Sequence, residues 1–382
     1  LDPKRKDCNY PYKGLSGAGI GFKLLQALCI VMEVDQESLY SDLDLVAVSI
    51  AADIVPMTGE NRILCYHGLK VLNQDPRPGL KSLIELSGRK NIDVAGIVFG
   101  IAPRINAAGR IDHANKAVEV LLAETMTEAG ELAGVINEKN MERQAFDVAT
   151  TEEALAMIDA GDNKKATVLY DENWHKGVIG IVASRCIERF HRPTIIFTHS
   201  NGSVTGSARS VPGFDIYKAI YACNELLEKF GGHQAAAGLS VSIENLPAFK
   251  EKFEAVVAES INDELLIPPL RINTEITFDC ITGNFVNIIE QMEPFGPENM
   301  APVFEAKNVR IHNSLQLLKG EHLKFIAIQD NYNITFDAIG FGLGKYYDKV
   351  ATAEKLSIVF AVEKNEYLGI TKIQLNIKDI KI

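Results

Sequence analysis

The 382-residue chain has six cysteines, Cys8, Cys29, Cys65, Cys186, Cys223 and Cys280, and no two of them form a CxxC pair. That scatter indicates neither a zinc site nor a disulfide framework, and it suits a reducing, cytoplasmic compartment. No apolar run reaches the roughly 18 residues of a membrane span, and no signal-peptide pattern opens the chain, so neither insertion nor export is expected. Low-complexity stretches and long internal repeats are lacking. So is a basic excess: 39 Lys and Arg face 50 Asp and Glu, for a net charge of -11. This argues against a generally basic nucleic-acid binder but leaves room for one basic groove on an acidic body. The opening "LDPKRKDCNY" carries no methionine and reads as already inside folded sequence, as a fragment of a longer chain would.

The length predicts two or three domains, since single cores seldom grow beyond roughly 250 to 300 residues. From 43 to 53, "LDLVAVSIAAD" is an almost unbroken apolar run, as expected of a strand buried on both faces of a parallel sheet. Asp53 would then lie at a strand's carboxyl end, where ligands bind in open α/β sheets; the alternative is an acid capping the next turn. Residues 123–160 carry helix formers throughout, with a middle, "NEKNMERQ", too polar to face a core. A helix of roughly 30 residues, spanning about 45 Å and polar in mid-course, suits a bridge between domains.

A second α/β unit follows, with strands predicted at 166–170, 194–198 and 238–243 and helices at about 178–190 and 214–229. From about 268 the texture becomes short strands and turns, the spacing of a small OB-type barrel.

Several stretches carry groups suited to an anion. "GSARSVPGFD", 206–215, sets Ser207, Arg209 and Ser210 on a strand end ahead of a helix; arginine binds phosphate through two parallel charge-assisted bonds. "APRINAAGRID", 102–112, repeats the style with Arg104 and Arg110 around small residues, before a helix started by Asp112. Each arginine taken singly also reads as a surface residue. "NWHKGVIGIVASR", 173–185, leads Trp174 and His175 into a helix N-terminus, where anions are favoured; Trp174 suits stacking on a base or plain core packing. "FGGHQAAAGLSV", 230–241, places His233 between Gly231, Gly232 and three alanines. Either it is a tight turn with a core histidine, or its bareness admits another molecule to the main chain. The GxGxG inside "GLSGAGIGFKLLQAL" has no strand closely before it and no acid at the usual spacing after it, so a dinucleotide fold is rejected.

Together, "AADIVPMTGENR", "PRINAAGR", "WHKGVIGIVASR", "GSARSVPGFD", "FGGHQAAAG", "EPFGPENMAPVF" and the closing "IQLNIKDI" resemble, in that order, the RecJ-type exonucleases of the DHH phosphoesterase superfamily. The likeness covers practically the whole chain. The GGHxxAAG box marks the DHH-associated domain in general, whereas the barrel and its "EPFGPEN" lead-in are particular to RecJ-like members. The resemblance implies an α/β fold in four parts. These are the remainder of a parallel-sheet DHH domain (1–122), a connecting helix (123–160), a DHH-associated α/β domain (161–262) and a C-terminal OB-type barrel (263–382).

It further implies a 5′-to-3′ exonuclease on single-stranded DNA, acting in repair and recombination, with two Mn²⁺ or Mg²⁺ ions held between two α/β domains. Residue by residue, Asp53 matches a metal-ligating aspartate and His233 the histidine over the substrate phosphate. Ser207 and Arg209 match the dead-end pocket for a 5′ phosphate, with Arg110 as a third member. Gly231 and Gly232 admit that phosphate, and Arg104 and Asn106 belong to the same phosphate-binding set. Candidate partners are single-stranded DNA with a 5′ phosphate, single-strand-binding protein and a helicase, with no membrane. The upstream aspartates and the Asp-His-His box of the family are not in these 382 residues, and one aspartate cannot hold two ions. An inactive fragment is therefore expected. The alternatives are a DHH enzyme for short oligonucleotides or cyclic dinucleotides, and an inactive DNA-binding scaffold.

Overall fold

The computed structural model describes residues 2–111, 115–158, 164–200, 202–330, 332–367 and 369–382. In chain order the first stretch forms α1 (Gly17–Met32), α2 (Leu43–Ala52), α3 (Gly59–Gln74), α4 (Pro78–Ser87), the single turn α5 (Val94–Gly96), α6 (Ala102–Ile111), α7 (Asn115–Leu122) and α8 (Met126–Met157). Next come β1 (Thr167–Tyr170), α9 (Ile179–Phe190), β2 (Thr194–Ser200), β3 (Ser203–Arg209), α10 (Ile216–Tyr221), β4 (Leu227–His233), β5 (Ala236–Val241) and α11 (Leu246–Ser260). The last part comprises β6 (Thr274–Glu275), α12 (Gly283–Gln291), β7 (Phe304–Leu318), β8 (His322–Gln329), β9 (Thr335–Gly340), α13 (Tyr347–Thr352), β10 (Leu356–Tyr367) and β11 (Ile370–Lys381). Asp112, expected to start a helix, lies outside the described residues.

These elements form two compact units: Leu1–Asp75 with Asn91–Val98 and Leu270–Ile382, and Pro76–Lys90 with Phe99–Pro269. In the first, the apolar run at 43–53 is a helix rather than the expected strand. Leu43, Val46, Ala47, Val48, Ile50 and Ala51 are buried on nearly all sides of α2, which is what an unbroken apolar run gives in a helix packed all round. Gly68 of α3 allows this packing: a Cβ there would lie 2.1 Å from the Leu43 carbonyl oxygen. Among the described residues of 1–122 every regular element is helical, so the expected parallel-sheet remainder shows no strand there.

The same unit holds the barrel. β7, β8, β9, β11 and β10 pair in sequence and β10 pairs back to β7, which closes a five-stranded ring; β9 and β11 run parallel and the other pairs antiparallel. Phe278, Phe304, Phe325, Phe360 and Leu375 fill its core. The "EPFGPEN" lead-in docks on α3 and the turn before it. Arg62 donates to the carbonyls of Gln291, Met292 and Glu293 at 2.9, 3.3 and 2.9 Å, and the Met57 amide donates to that of Pro297 at 2.7 Å.

The second unit packs α4, α6, α7 and α9 against α8 and carries a five-stranded sheet in the order β1-β2-β3-β5-β4. α8 starts at Thr125, whose hydroxyl accepts from the Glu128 amide. Its polar middle, 137–144, is exposed or half-buried apart from Asn140, while further along the helix Asp147, Thr150 and Thr151 are buried. Asp147 is satisfied by Arg185 of α9 at 2.8 Å and by the Thr151 hydroxyl at 3.4 Å, so a buried carboxylate here joins two helices. The helix expected at 214–229 stops at Tyr221, and the chain from Leu227 becomes β4.

Candidate phosphate-binding site

The register of β3, β5 and β4 brings four of the expected residues onto one face. Arg209 pairs with Ala236, which pairs with His233; Ser207 pairs with Gly238, which pairs with Gly231. Because side chains alternate along a strand, these six share a face, and the opposite face sends Ala208, Ala237 and Leu239 into the core. The GGH segment is thus a paired strand, not a tight turn. Across two strand spacings of about 4.8 Å each, Arg209 and His233 flank a strip roughly 10 Å wide that carries only Ala236, Gly238 and Gly231.

Gly232 makes this register possible. Its φ is +152°, and a Cβ there would meet the Ala236 carbonyl oxygen at 2.4 Å, whereas a Cβ on Gly231 or Gly238 would meet nothing within 4 Å. One glycine is required by the backbone and the other two leave the face open. The exposed segment beyond is tied down by backbone bonds from Ser210 to Ala235 and from Ile216 to Gln234. The Ala235 amide also donates to Nδ1 of His233 at 3.2 Å. An amide can only donate, so Nδ1 acts as the acceptor here and the ring's N–H donor is at Nε2.

At the other edge, Nη1 of Arg209 donates to the Ser207 hydroxyl at 3.1 Å and to the Ala208 carbonyl at 2.9 Å, which fixes the guanidinium over the sheet. The first turn of α9 closes over them. Its N-cap, Val178, supplies no side-chain acceptor, and Gly180 sits so close that a Cβ would be 2.7 Å from Nη2 of Arg209 and 3.0 Å from the Ser207 hydroxyl. A helix N-terminus, a guanidinium and a hydroxyl converge on one spot, which is the chemistry of an anion seat. Gly180 was not singled out in the sequence; its signal was its place two residues into a helix beside an arginine-bearing strand. The groove above this face, about 740 Å³, is also lined by Lys176, Thr205, Lys229 and Ser240.

The other expected residues lie elsewhere. Arg104 is spent on its own surroundings: Nε donates to Asn137 at 2.9 Å, Nη2 to the Leu86 carbonyl at 2.8 Å and Nη1 to that of Gly100. Burial lowers its pKa. Asn106 is exposed on α6, and the side chain of Arg110 lies outside the described residues. Trp174 is buried with Nε1 donating to Glu153 at 2.7 Å, so it is core rather than a base-stacking surface. His175 stacks on Phe146 at 5.0 Å and accepts the Gly177 amide through Nδ1. Asp53, in the first unit, is exposed at the end of α2 with the Ser49 hydroxyl 3.4 Å from its carboxylate. Among the described residues no three His, Cys, Asp or Glu side chains cluster as metal ligands would, so Asp53 and its neighbours do not fit a divalent-ion centre by themselves. On the outer face of the barrel, Lys324, Asp337, Asn365, Lys372 and Gln374 line a shallow cup of about 280 Å³.

Comparison with known proteins agrees with this layout. The family model described as the DHHA1 domain matches residues 163–259, and that described as the RecJ OB domain matches residues 272–379. The chain is 34% identical over 390 residues to the single-stranded-DNA-specific exonuclease RecJ of Bacillus subtilis, covering all of this chain and 48% of that protein. It is 30% identical over 403 residues to the protein of the same name from Salmonella typhimurium, covering 69% of it. The crystal structure of RecJ in complex with Mg²⁺ from Thermus thermophilus superposes with a TM-score of 0.85 at 28% identity, over 98% of this chain and 57% of that one. A structure of the same protein with Mn²⁺ gives the same score. The chain thus spans about half the length of the Bacillus relative and of the Thermus structure, and within that span it is an α/β protein that belongs to the RecJ family.

Proposed function

We propose that this chain is the substrate-seating part of a 5′-to-3′ exonuclease specific for single-stranded DNA, working in the cytoplasm in DNA repair and recombination. The observation that carries the reading is the register that lines up Ser207, Arg209, Gly231 and His233 on one bare face beneath the N-terminus of α9. The relatives' names supply the substrate, and the site supplies the chemistry. Arg209 and Ser207 bind the terminal phosphate with the first-turn amides of α9, and a terminal group enters where a continuous strand does not. Nε2 of His233 donates to a phosphate oxygen across the strip, while Gly231 and Gly238 let that phosphate approach the main chain.

The four-part division at 1–122, 123–160, 161–262 and 263–382 belongs to the same reading. The first part supplies Asp53, and the barrel holds the incoming strand by stacking and backbone charge. Arg104 acts through the helix packing it secures. Arg110 and Asn106 remain candidate phosphate contacts, and single-strand-binding protein and a helicase remain candidate partners.

Phosphodiester hydrolysis in this family is read as two-metal chemistry with Mn²⁺ or Mg²⁺, and Asp53 can contribute one carboxylate to such a centre. The described residues form no ligand cluster of their own, and the chain alone is expected to be inactive.

The test is binding of single strands that differ only at the 5′ end. The 5′-phosphate form should bind several-fold more tightly than the 5′-hydroxyl form, and Arg209→Ala should abolish the difference. Equal affinity of the two strands for the unmodified chain would refute the seat. Mononucleotide release by the chain alone in Mn²⁺ would refute the expected inactivity.

A further inference from the structure

The seat does not end at Ser207. One row further along the same face, Thr205 of β3 pairs with Ser240 of β5, which pairs with Lys229 of β4. Three rows therefore follow one another: Arg209, Ala236 and His233; then Ser207, Gly238 and Gly231; then Thr205, Ser240 and Lys229. Successive rows are two residues apart, roughly 7 Å along the strands. The groove runs over all three and on to Ser203 and Ser200. It is walled on one side by Lys176 and Gly177 ahead of α9, and Glu228 is the one carboxylate among the described residues that line it.

The third row has the composition of an anion site rather than of a nucleoside site. It offers two hydroxyls and an ammonium; the one aromatic residue among the described lining of the groove is Phe230, whose ring packs against Tyr217 and Tyr221. Lys176 and Lys229 make no ion pair among the described residues, so both ammonium groups are available in a chain whose net charge is -11. A group held there lies beyond the terminal phosphate, on the side away from His233, and a row repeat matches the reach of a polyphosphate chain.

We propose that this groove accepts a 5′-polyphosphate end, with the phosphoryl groups beyond the first held by Lys229, Ser240 and Thr205 and by Lys176 from the rim. The inference rests on the reading of Ser207 and Arg209 as the seat of the first phosphate. It makes the pocket deeper than one phosphate, so that single strands beginning with a triphosphate are ligands and not excluded ends.

The experiment compares 5′-hydroxyl, 5′-monophosphate and 5′-triphosphate forms of one fluorescent single strand, at fixed ionic strength, on the unmodified chain and on Lys229→Ala, Lys218→Ala and Arg209→Ala. The triphosphate should bind roughly tenfold more tightly than the monophosphate. Lys229→Ala should bring that ratio close to one, and Lys218→Ala, on the exposed side of α10, should leave it unchanged. A triphosphate that binds no better than the monophosphate overturns the proposal, as does an equal loss of the ratio in both lysine variants, which would reflect bulk charge. Failure of the underlying seat has a different signature: no preference for monophosphate over hydroxyl in the unmodified chain. Circular dichroism of each variant confirms that the fold is retained.

Discussion

Gly231 and Gly232 are neighbours, yet a methyl group on each meets opposite surroundings. At Gly232 it would collide with the backbone of Ala236 and Ala237 in a φ region that favours glycine, so Gly232→Ala should cost about 2 kcal/mol and lower the unfolding midpoint in urea. At Gly231 it would point into open space, so Gly231→Ala should unfold at the unmodified midpoint and lose at least fivefold in affinity for a 5′-phosphorylated strand. Equal stability of the two variants would remove the register argument. The sequence "GGHQAAAG" showed the bareness but not which glycine serves the backbone, because that depends on which residues pair across β4 and β5. Arg104 was misleading for a similar reason: an arginine beside small residues suits a phosphate or a packed helix, and only its three oxygen partners decide. Cysteine reactivity is a further check at this scale. Burial pushes the thiols of Cys65, Cys186 and Cys223 up to about 12, 11 and 11, whereas Cys280 is exposed and Cys8 and Cys29 are half-buried. With thiolate withheld from the three buried sites until strongly alkaline pH, a thiol reagent at pH 8 should modify three groups before unfolding and six after it.

Among the elements, α2 shows where the pattern was ambiguous. "LDLVAVSIAA" has no 3.6-residue periodicity to reveal, because nearly every face of the helix is covered, and an apolar run of that kind reads equally as a buried strand. What selects the helix is its partner, α3, whose Gly68 lets the two backbones approach. Gly68→Ala would place a methyl group 2.1 Å from the Leu43 carbonyl oxygen and 2.7 Å from the Ala47 side chain, so the helices must separate. The expected cost is about 3 kcal/mol, read as a lower denaturation midpoint. In α8 the polar stretch 137–144 is exposed or half-buried apart from Asn140, but beyond it Asp147 and two threonines are buried where a salt bridge satisfies the carboxylate, which no local pattern announced. α1 gives the third case. It is apolar along most of its length, yet Ile30, Val31 and Met32 are 66, 80 and 62% exposed. An uncovered face of this kind should bind an apolar dye and promote association of the 382-residue chain; Leu28→Lys combined with Val31→Lys should reduce both. Dye binding unchanged by that pair would place the exposed surface elsewhere.

At the scale of the whole molecule, the chain's acidic balance hides two local basic surfaces, the groove over β3, β5 and β4 and the cup on the barrel. The barrel was legible because turns punctuate short alternating strands from about 268 onward, although its closure through β10 and β7 depends on pairing between segments about 50 residues apart, which no local pattern records. Among the described residues Asp53 stands without a cluster of further ligands. If the barrel cup holds the strand, removing Lys324 and Lys372 together should weaken single-strand binding and flatten its dependence on log salt by about 1.4, two phosphate contacts' worth. The more direct test concerns the strip between Arg209 and His233. In nitrogen-resolved NMR of the His233 ring, addition of a 5′-phosphorylated single strand should move the Nε2 signal, and a 5′-hydroxyl strand should move it less. A ring signal unmoved by saturating phosphorylated strand would contradict the assignment of this face as the phosphate seat.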